Sequence, residues 1–495
     1  MVKEISFIQL DDRNPAPLYR QICEAIRQGI LSGAFESKMR LPATRLLARQ
    51  LGVSRMTVIN AYEQLFAEGY LEGKIGAGTF VAAALPEEFL QAAQPKKQTP
   101  KNKPVERDLK LSGYGRYLAQ SDYAAWRNQR PTRFVPFQHG VPAIDDFPFE
   151  TWGKIAQKWR KNPPRDVLGY GEMAGFRPLR EAVAAHLETA RGVRCAAEQI
   201  IITSGTQQAV DLISRILLNP DDPVWMEEPC YLGARDVFLA AGAKISYVPV
   251  DDEGFDAALA ARKKKRARLV YVTPSCQFPL GATMSLARRL TLLEWARDND
   301  AWILEDDYNS EYRYAGRPIA ALQGLDRSGR VIYVGTFSKT IFPALRLGCL
   351  VLPADLMPVF QAARALSDLH SPIINQAILA DFIADGHFAR HIRRMRGIYE
   401  TRQQCLVSEI EKNLGGFIEV KPAAAGMHLV GWLPENIDDH EISRRAREQK
   451  LNITPLSNYC NRDFGRGGLL FGYTGFDEKQ IRHGVETLAK GLRYT

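Results

Sequence analysis

The chain has 495 residues, 45% of them hydrophobic and 24% charged, with a formal net charge of +9. These are the proportions of an ordinary globular protein and exclude a disordered or collagen-like chain; by length alone about three domains are expected. No apolar run reaches the roughly 18 residues of a membrane span, and the N-terminus MVKEISFIQLDDRNP lacks the basic-then-apolar layout of a secretory leader.

Seven cysteines are scattered without a CxxC pair, which reads as reduced thiols in a cytoplasmic protein; no metal site is expected. The charge is uneven. Residues 83–135 hold ten Lys/Arg against five Asp/Glu, whereas the segments before and after each carry a surplus of two. A polycation near nucleic acid and a soluble charged linker both fit that excess.

Residues 1–82 read as a small helical unit ending in a hairpin. In PLYRQICEAIRQGILSG the apolar positions Leu18, Ile22, Ile26 and Ile30 form a helical stripe. LPATRLLARQLGVSRMTVINAYEQLFAEGYL then reads as two helices broken at GVS, with Ser54 where an N-cap is wanted and Gly69 where a C-terminal glycine is wanted. Val58, Ala61, Tyr62 and Leu65 are the inward stripe of the second of these. YLEGKIGAGTFVA carries two short β-prone runs around a glycine-rich turn.

Two helices joined by a tight turn can set the second in a DNA major groove. The residues at its N-terminus are Ser54, Arg55, Met56 and Thr57. Arg55 can reach a phosphate or a guanine edge, and Thr57 a phosphate. Arg40 and Arg45 flank the preceding helix, and Lys74 lies in the hairpin, where a wing meets the backbone.

Residues 83–133, containing QAAQPKKQTPKNKPVERD, have too few large apolar side chains to fix a fold and are expected to be a flexible basic linker. From 134 to 495 the chain is of the α/β class. The runs QIIITSG, PVWMEE, AKISYVPV, ARLVYVTP, AWILEDD, RVIYVGT and RLGCLVL alternate with helical stretches such as SLARRLTLLEWARDND, the pattern of a mostly parallel sheet covered by helices. From about residue 375 a helix-rich stretch and then GMHLVGWL and GGLLFGYTG suggest a smaller C-terminal lobe.

In VGTFSKTIFPALRLG, Lys339 stands alone among Phe337, Ile341 and Phe342. An ammonium is costly to bury unless it gives up its charge, as an imine-forming amine does. A phosphorylated aldehyde cofactor needs a phosphate cup, an anion near its ring nitrogen and a flat side chain for stacking. TSGTQQAVDLI runs strand, Ser204-Gly205-Thr206, helix, and offers backbone N–H groups to a phosphate. Thr336, Ser338 and Arg346 add two hydroxyls and a guanidinium fork. WILEDDYNSEY ends a strand with Asp306 and Asp307, one of which can hold a pyridinium proton, followed by Tyr308. Adjacent strand residues point to opposite faces, so only one aspartate can serve. Tyr231 follows another strand end, where ligand sites of open α/β sheets lie.

Three resemblances follow from these motifs. Nearly all of residues 15–81 resembles the winged helix-turn-helix of GntR-type bacterial repressors. This implies that Arg45 in PATR, Arg55 and Thr57 in VSRMT and Gly78 in GAGTF meet double-stranded DNA, in a dimer reading two half-sites. Residues 134–490 resemble the fold-type I pyridoxal-phosphate enzymes of the aspartate aminotransferase family.

That second resemblance implies pyridoxal 5′-phosphate as cofactor, with Lys339 its Schiff-base lysine, Asp306 on the pyridine nitrogen and Tyr308 at the phenolic oxygen. Tyr231 is then stacked on the ring, and Ser204, Gly205, Thr206, Thr336 and Arg346 hold the phosphate. Tyr170, in GYGEMAGFRPLR, is expected to reach the phosphate of the other subunit, making a homodimer. Arg466 is the nearest candidate for an effector carboxylate.

The order of parts over nearly the whole chain resembles the MocR (GabR/PdxR-like) transcriptional regulators, although TPSCQFPLG has Cys276 where that group has a histidine. The implied function is a pyridoxal-phosphate-dependent transcriptional regulator that senses the cofactor itself, or a small amine or amino acid, at Lys339. The alternative is an active aminotransferase carrying a DNA-binding domain.

Overall fold

The computed structural model describes residues 8, 10–11, 14–74, 78–83, 110–121, 123–124, 133–264, 266–316, 319–462 and 464–493. The chain divides into two compact units, Met1–Leu109 and Lys110–Thr495. Among the described residues no helix is long and apolar enough to cross a membrane.

The first unit has three helices, α1 (Leu18–Leu31), α2 (Thr44–Leu51) and α3 (Arg55–Ala67), and a hairpin of β1 (Leu71–Lys74) and β2 (Gly78–Val81). Ile22, Ile26 and Ile30 of α1 are buried in one cluster with Leu47 of α2 and Val58, Ala61, Tyr62 and Leu65 of α3. The four-residue spacing on α1 puts its isoleucines on one face, and that face becomes the unit's core. Gly52 ends α2 in the left-handed region, and the Ser54 hydroxyl then opens α3 by accepting the Thr57 N–H at 3.1 Å. The buried Tyr62 hydroxyl donates to the Pro42 carbonyl at 3.0 Å and ties α3 to the chain entering α2.

The second unit begins earlier than the composition suggests. Gly113–Gln120 is a helix capped by Ser112, and the Ser121 hydroxyl after it donates to Asp236 at 2.6 Å. The expected flexible linker over 83–133 is corrected over 110–121; residues 84–109, 122 and 125–132 lie outside the described residues. Few large side chains are needed, because the segment rests on the helix Leu232–Ala240 instead of making a core of its own.

Eight strands form the main sheet in the order β3-β10-β9-β8-β7-β4-β5-β6: β3 (Ile200–Thr203), β4 (Pro223–Glu228), β5 (Lys244–Asp251), β6 (Gly254–Phe255), β7 (Leu269–Val272), β8 (Trp302–Asp307), β9 (Val331–Thr336) and β10 (Gly348–Val351). The central pairs are parallel, while β10 runs against both its neighbours and β6 against β5. The strands read as continuous apolar runs because both faces are covered. Ile200 and Ile202 join one buried cluster and Ile201 the other, as a period of two requires.

Beyond the helices Ile373–Ala384 and His387–Leu414, a second antiparallel sheet forms, ordered β11 (Glu419–Val420), β12 (His428–Trp432), β14 (Gly468–Gly472), β13 (Thr454–Pro455). The chain at Phe137 is bridged to β14 through the Gly472 N–H, 2.9 Å from the Phe137 carbonyl. A Cβ at Gly472 would lie 2.3 Å from the Gln138 carbonyl oxygen, so only glycine lets this segment lie so close. That docking carries His139 and Gly140 to the cleft described next.

Candidate functional site

One cleft gathers the strand ends. Gly205 and Thr206 follow β3, Tyr231 follows β4, Asp306 and Tyr308 close β8, and Thr336, Ser338 and Lys339 close β9; Arg346 precedes the antiparallel β10 and so reaches the same edge. This is the C-terminal edge of the parallel sheet, where open α/β folds bind ligands.

At one end the chain turns through Gly205, with φ of +105°, into the helix Thr206–Leu217. The first N–H groups of that helix have no intrahelical partner and favour an anion. A Cβ at Gly205 would lie 3.6 Å from the Arg346 guanidinium, so the two residues share one corner. Arg346 itself holds a left-handed backbone, φ +53°, an uncommon conformation for a side-chain-bearing residue. Thr336 accepts the Ser338 N–H at 3.2 Å.

At the other end Lys339 Nζ donates to the Gly140 carbonyl at 2.8 Å. A Cβ at Gly140 (φ +73°) would sit 2.6 Å from that nitrogen. Below the cleft, the two aspartates separate as strand alternation demands. Asp307 Oδ2 accepts from Arg191 Nε, Tyr333 OH and Ser310 Oγ, each at 2.8 Å, within the body of the protein. Asp306 lines the cleft; its Oδ2 accepts from the Tyr271 hydroxyl at 2.6 Å and its buried Oδ1 has no hydrogen-bond partner. Burial pushes the Asp306 carboxyl up to about 7, with the Tyr271 bond pulling the other way.

Tyr231 donates to Gln207 Oε1 at 3.0 Å and stands edge-on to Phe278, centroids 6.0 Å apart. Tyr308 reaches Cys276 Sγ at 3.8 Å. Cys276 is therefore a neighbour of Tyr308 behind the cleft rather than part of its wall.

Two residues expected at this cleft, Ser204 and Arg466, are not brought into it. Ser204 uses its N–H on Gln208 Oε1 at 2.8 Å and its hydroxyl on Ser371 at 3.3 Å. Tyr170, expected at the phosphate of the other subunit, is 88% exposed and outside this chain's own lining. Arg466 donates to the Leu433 carbonyl at 2.6 Å and to Glu419 at 3.0 Å, with its guanidinium over the Trp432 ring. These local partners on β11 and β12 hold it away from the cleft, which corrects its assignment to an effector carboxylate.

The sequence reading missed Tyr271, Gly140, His139, His428, Tyr123, Phe278 and Tyr459, all of which line the cleft. Only Gly140, in the QHGVPA turn, left a sequence signal; the others arrive by tertiary packing.

In the first unit Arg45 and Arg55, with Arg49, line a shallow depression between α2 and α3, and both are exposed. The Ser54 and Thr57 hydroxyls lie 2.8 Å apart, so Ser54 serves first as the cap of α3. The exposed Arg40 lies against the wing: a Cβ at Gly78 would meet its Nε at 3.1 Å. Lys74 pairs with Gly78 across the hairpin, and residues 75–77 of the turn lie outside the described residues.

The aminotransferase class I and II family matches residues 137–488, and the gntR family of bacterial regulatory proteins matches residues 18–81. The probable rhizopine catabolism regulatory protein MocR of Rhizobium meliloti is 40% identical over 480 residues, covering 97% of this chain and 94% of that protein. The chain belongs to the MocR subfamily of GntR-type regulators.

The pyridoxine biosynthesis transcriptional regulator PdxR of Corynebacterium glutamicum is 30% identical to this regulator, covering 96% of each chain. Among solved structures, a multiple substrate aminotransferase from Thermococcus profundus matches 78% of the regulator and 97% of its own chain, with a TM-score of 0.70 and 31% identity. An α-aminoadipate aminotransferase from Thermus thermophilus, complexed with N-(5′-phosphopyridoxyl)-L-leucine, matches 78% and 99%, with a TM-score of 0.68 and 28% identity. The chain is thus a transcriptional regulator with a GntR-type DNA-binding domain and an aminotransferase-like domain, and that domain's fold implies pyridoxal-phosphate binding.

Proposed function

We propose that this regulator reads DNA through residues 1–82 and is switched at the cleft of residues 134–495, whose smaller lobe starts near 375. The switch is pyridoxal 5′-phosphate at Lys339, alone or together with a small primary amine or amino acid. One observation carries the reading. The Lys339 amine, a buried Asp306 Oδ1 without a partner, and the Gly205–Arg346 corner share one cleft, with the amine and the carboxylate at separate points of it.

These residues fit the cofactor. Arg346, Thr336, Ser338 and the N–H groups after Gly205 suit the phosphate, Asp306 Oδ1 a protonated ring nitrogen, Tyr308 the phenolic oxygen and Tyr231 the ring face. When bound, pyridoxal phosphate supplies an aldehyde that condenses with a primary amine. The chain supplies the rest. Gly140 O orients Lys339 Nζ by accepting its hydrogen bond, and Tyr271 orients the Asp306 carboxyl by donating to its Oδ2, leaving Oδ1 to accept a proton donor.

Occupancy shifts the regulator between DNA-binding arrangements only as far as the ligand prefers one of them. The reader acts as a homodimer on two half-sites of double-stranded DNA, through Arg40, Arg45, Arg55, Thr57, Lys74 and Gly78. Tyr170, being exposed, is available to the partner subunit.

The test is a visible-range spectrum of the purified protein with added pyridoxal phosphate, followed by borohydride reduction and peptide mapping. Colour and an adduct at Lys339, both absent in Lys339→Ala, are expected. A protein that stays colourless and unmodified refutes the reading. Sustained amino transfer to a keto acid at enzyme-like rates favours the aminotransferase alternative.

A further inference from the structure

We propose that a second cavity of the second unit, sharing a wall with the Lys339 cleft, binds a small phosphate monoester, and that its occupancy is felt at Lys339. The binding stands by itself; the coupling rests on the reading above.

This cavity, of about 540 Å³, lies where residues 135–139 meet the end of the helix Asp439–Glu448 and the strand β13. Among the described residues lining it are Arg447, Lys450 and His440, and no carboxylate. Like charges that converge on one hollow repel one another unless an anion joins them. The acidic groups close by are already taken. Glu441 accepts from Arg444 and Arg445 at 2.8 and 2.7 Å, and Glu448 pairs with Arg444. The Asp439 carboxylate accepts the Ser457 hydroxyl, the Ser457 N–H and the Gly468 N–H. Among the described residues neither Arg447 nor Lys450 has an ion-pair partner. Lys450 holds φ of +60° just past the helix end, where glycine is the usual residue, and yet a lysine stands there and lines the cavity.

Neutral donors complete the wall. Gln138 spends its Oε1 on the Val135 N–H at 3.4 Å, leaving its NH₂ group, and Asn452 and Asn458 add two more amides. Two full cations, an imidazole that can become a third, and these N–H groups suit a dianionic phosphate. The cavity is larger than a bare phosphate fills, and Val135, Leu451 and Ile453 give it apolar surface, which suits a phosphate carrying a small organic body.

His139 forms the partition between the two cavities. Its Nδ1 lies 3.2 Å from the hydroxyl of Thr454, which lines this one, and its Nε2 3.2 Å from the hydroxyl of Tyr459, which lines the cleft. The next residue, Gly140, holds Lys339 Nζ through its carbonyl. The Pro136 carbonyl accepts the Asn452 N–H at 2.9 Å, so one short segment is fastened to the second cavity at one end and to Lys339 at the other. A ligand that braces Gln138 and His139 changes how firmly Lys339 is held, as far as it prefers one placement of that segment.

The test uses the full chain with pyridoxal phosphate fixed at Lys339 by borohydride, so that the Gly205–Arg346 corner is filled. Calorimetric titrations use glycerol 3-phosphate, inorganic phosphate and, as the uncharged control, glycerol. The ester is expected to bind and glycerol not to bind, with the ester weakened at least about tenfold in the double variant Arg447→Ala, Lys450→Gly. Glycine suits the Lys450 backbone, so a thermal melt should show that variant folded. Coupling is read on unreduced protein, as the rate at which the cofactor's absorbance is lost on dialysis. Glycerol 3-phosphate should change that rate at least about fivefold in the parent and not in the double variant. Undiminished binding in the double variant overturns the site, as does binding of neither phosphate probe by the parent. A double variant that binds the ester as the parent does but shows a smaller salt slope on DNA gives these cations to duplex phosphates instead. Binding that leaves the dialysis rate unchanged overturns the coupling. A chain that never takes up the cofactor defeats the preceding reading and the coupling; the same titration of Arg346→Ala, whose corner no longer competes for phosphate, then tests the second site alone.

Discussion

Tyr271 donates its hydroxyl to one oxygen of Asp306 and leaves the other oxygen buried without a partner. The pair holds a carboxyl at the floor of the cleft with half its hydrogen-bonding capacity unused. A fold tolerates such a group when a ligand completes it.

The first prediction concerns pH. Asp306 titrates near 3.8 when unfolded and is pushed up to about 7 by burial. Its proton is therefore held more tightly in the folded chain, and the stability this gives is full below the lower value and is lost as pH rises through the upper one. Glu227, Glu305 and Glu311, also raised to about 7 by burial, act in the same direction. The melting temperature of the cofactor-free protein should fall across that window. Asp306→Asn should raise it by about 2 °C above neutrality while weakening cofactor retention. Thermal melts at stepped pH, with and without pyridoxal phosphate, measure both.

Gly140→Ala puts a methyl group where Lys339 Nζ lies and asks alanine to hold φ of +73°. The backbone part costs about 1 kcal/mol. The displaced amine should lower cofactor retention at least about tenfold, read from absorbance after dialysis. A coloured, fully loaded variant refutes the view that this close approach positions Lys339.

The arginines of the first unit should separate by role from the serine that caps α3. Arg45→Ala and Arg55→Ala should each weaken DNA binding and reduce the salt slope by about one. Ser54→Ala should instead cost about 1 kcal/mol of stability by uncapping α3. Gel-shift titrations at several salt concentrations, beside thermal melts, distinguish the two patterns.

Arg466→Ala should leave the spectral response to amines unchanged, because its partners are Glu419 and Leu433. A surface pair of this kind contributes little to stability. Loss of amine binding in this variant would return Arg466 to the site.

The chemistry-bearing strand ends were legible because a parallel sheet announces them: an apolar run, a stop, then a functional group. Lys339, Asp306 and Tyr231 each stand in that position. Spacing left Asp306 and Asp307 open, and the resemblance alone chose Asp306; the physical reason is tertiary, since Arg191 and Tyr333, which claim Asp307, come from far along the chain. Arg466 misled because nearness in sequence to β14 says nothing of side-chain direction. His139 and His428 were invisible because each enters the cleft through packing between the two sheets. The linker was overextended because Gly113–Gln120 buries none of its own residues and gains its order from the surface beneath it.

Tyr123 lies just past that helix, and its hydroxyl is 3.3 Å from that of Tyr231 in the cleft wall. The segment that opens the second unit thus stands in the wall of the cleft before the chain enters the first strand of its sheet, so a molecule that braces Tyr231 braces Tyr123 with it.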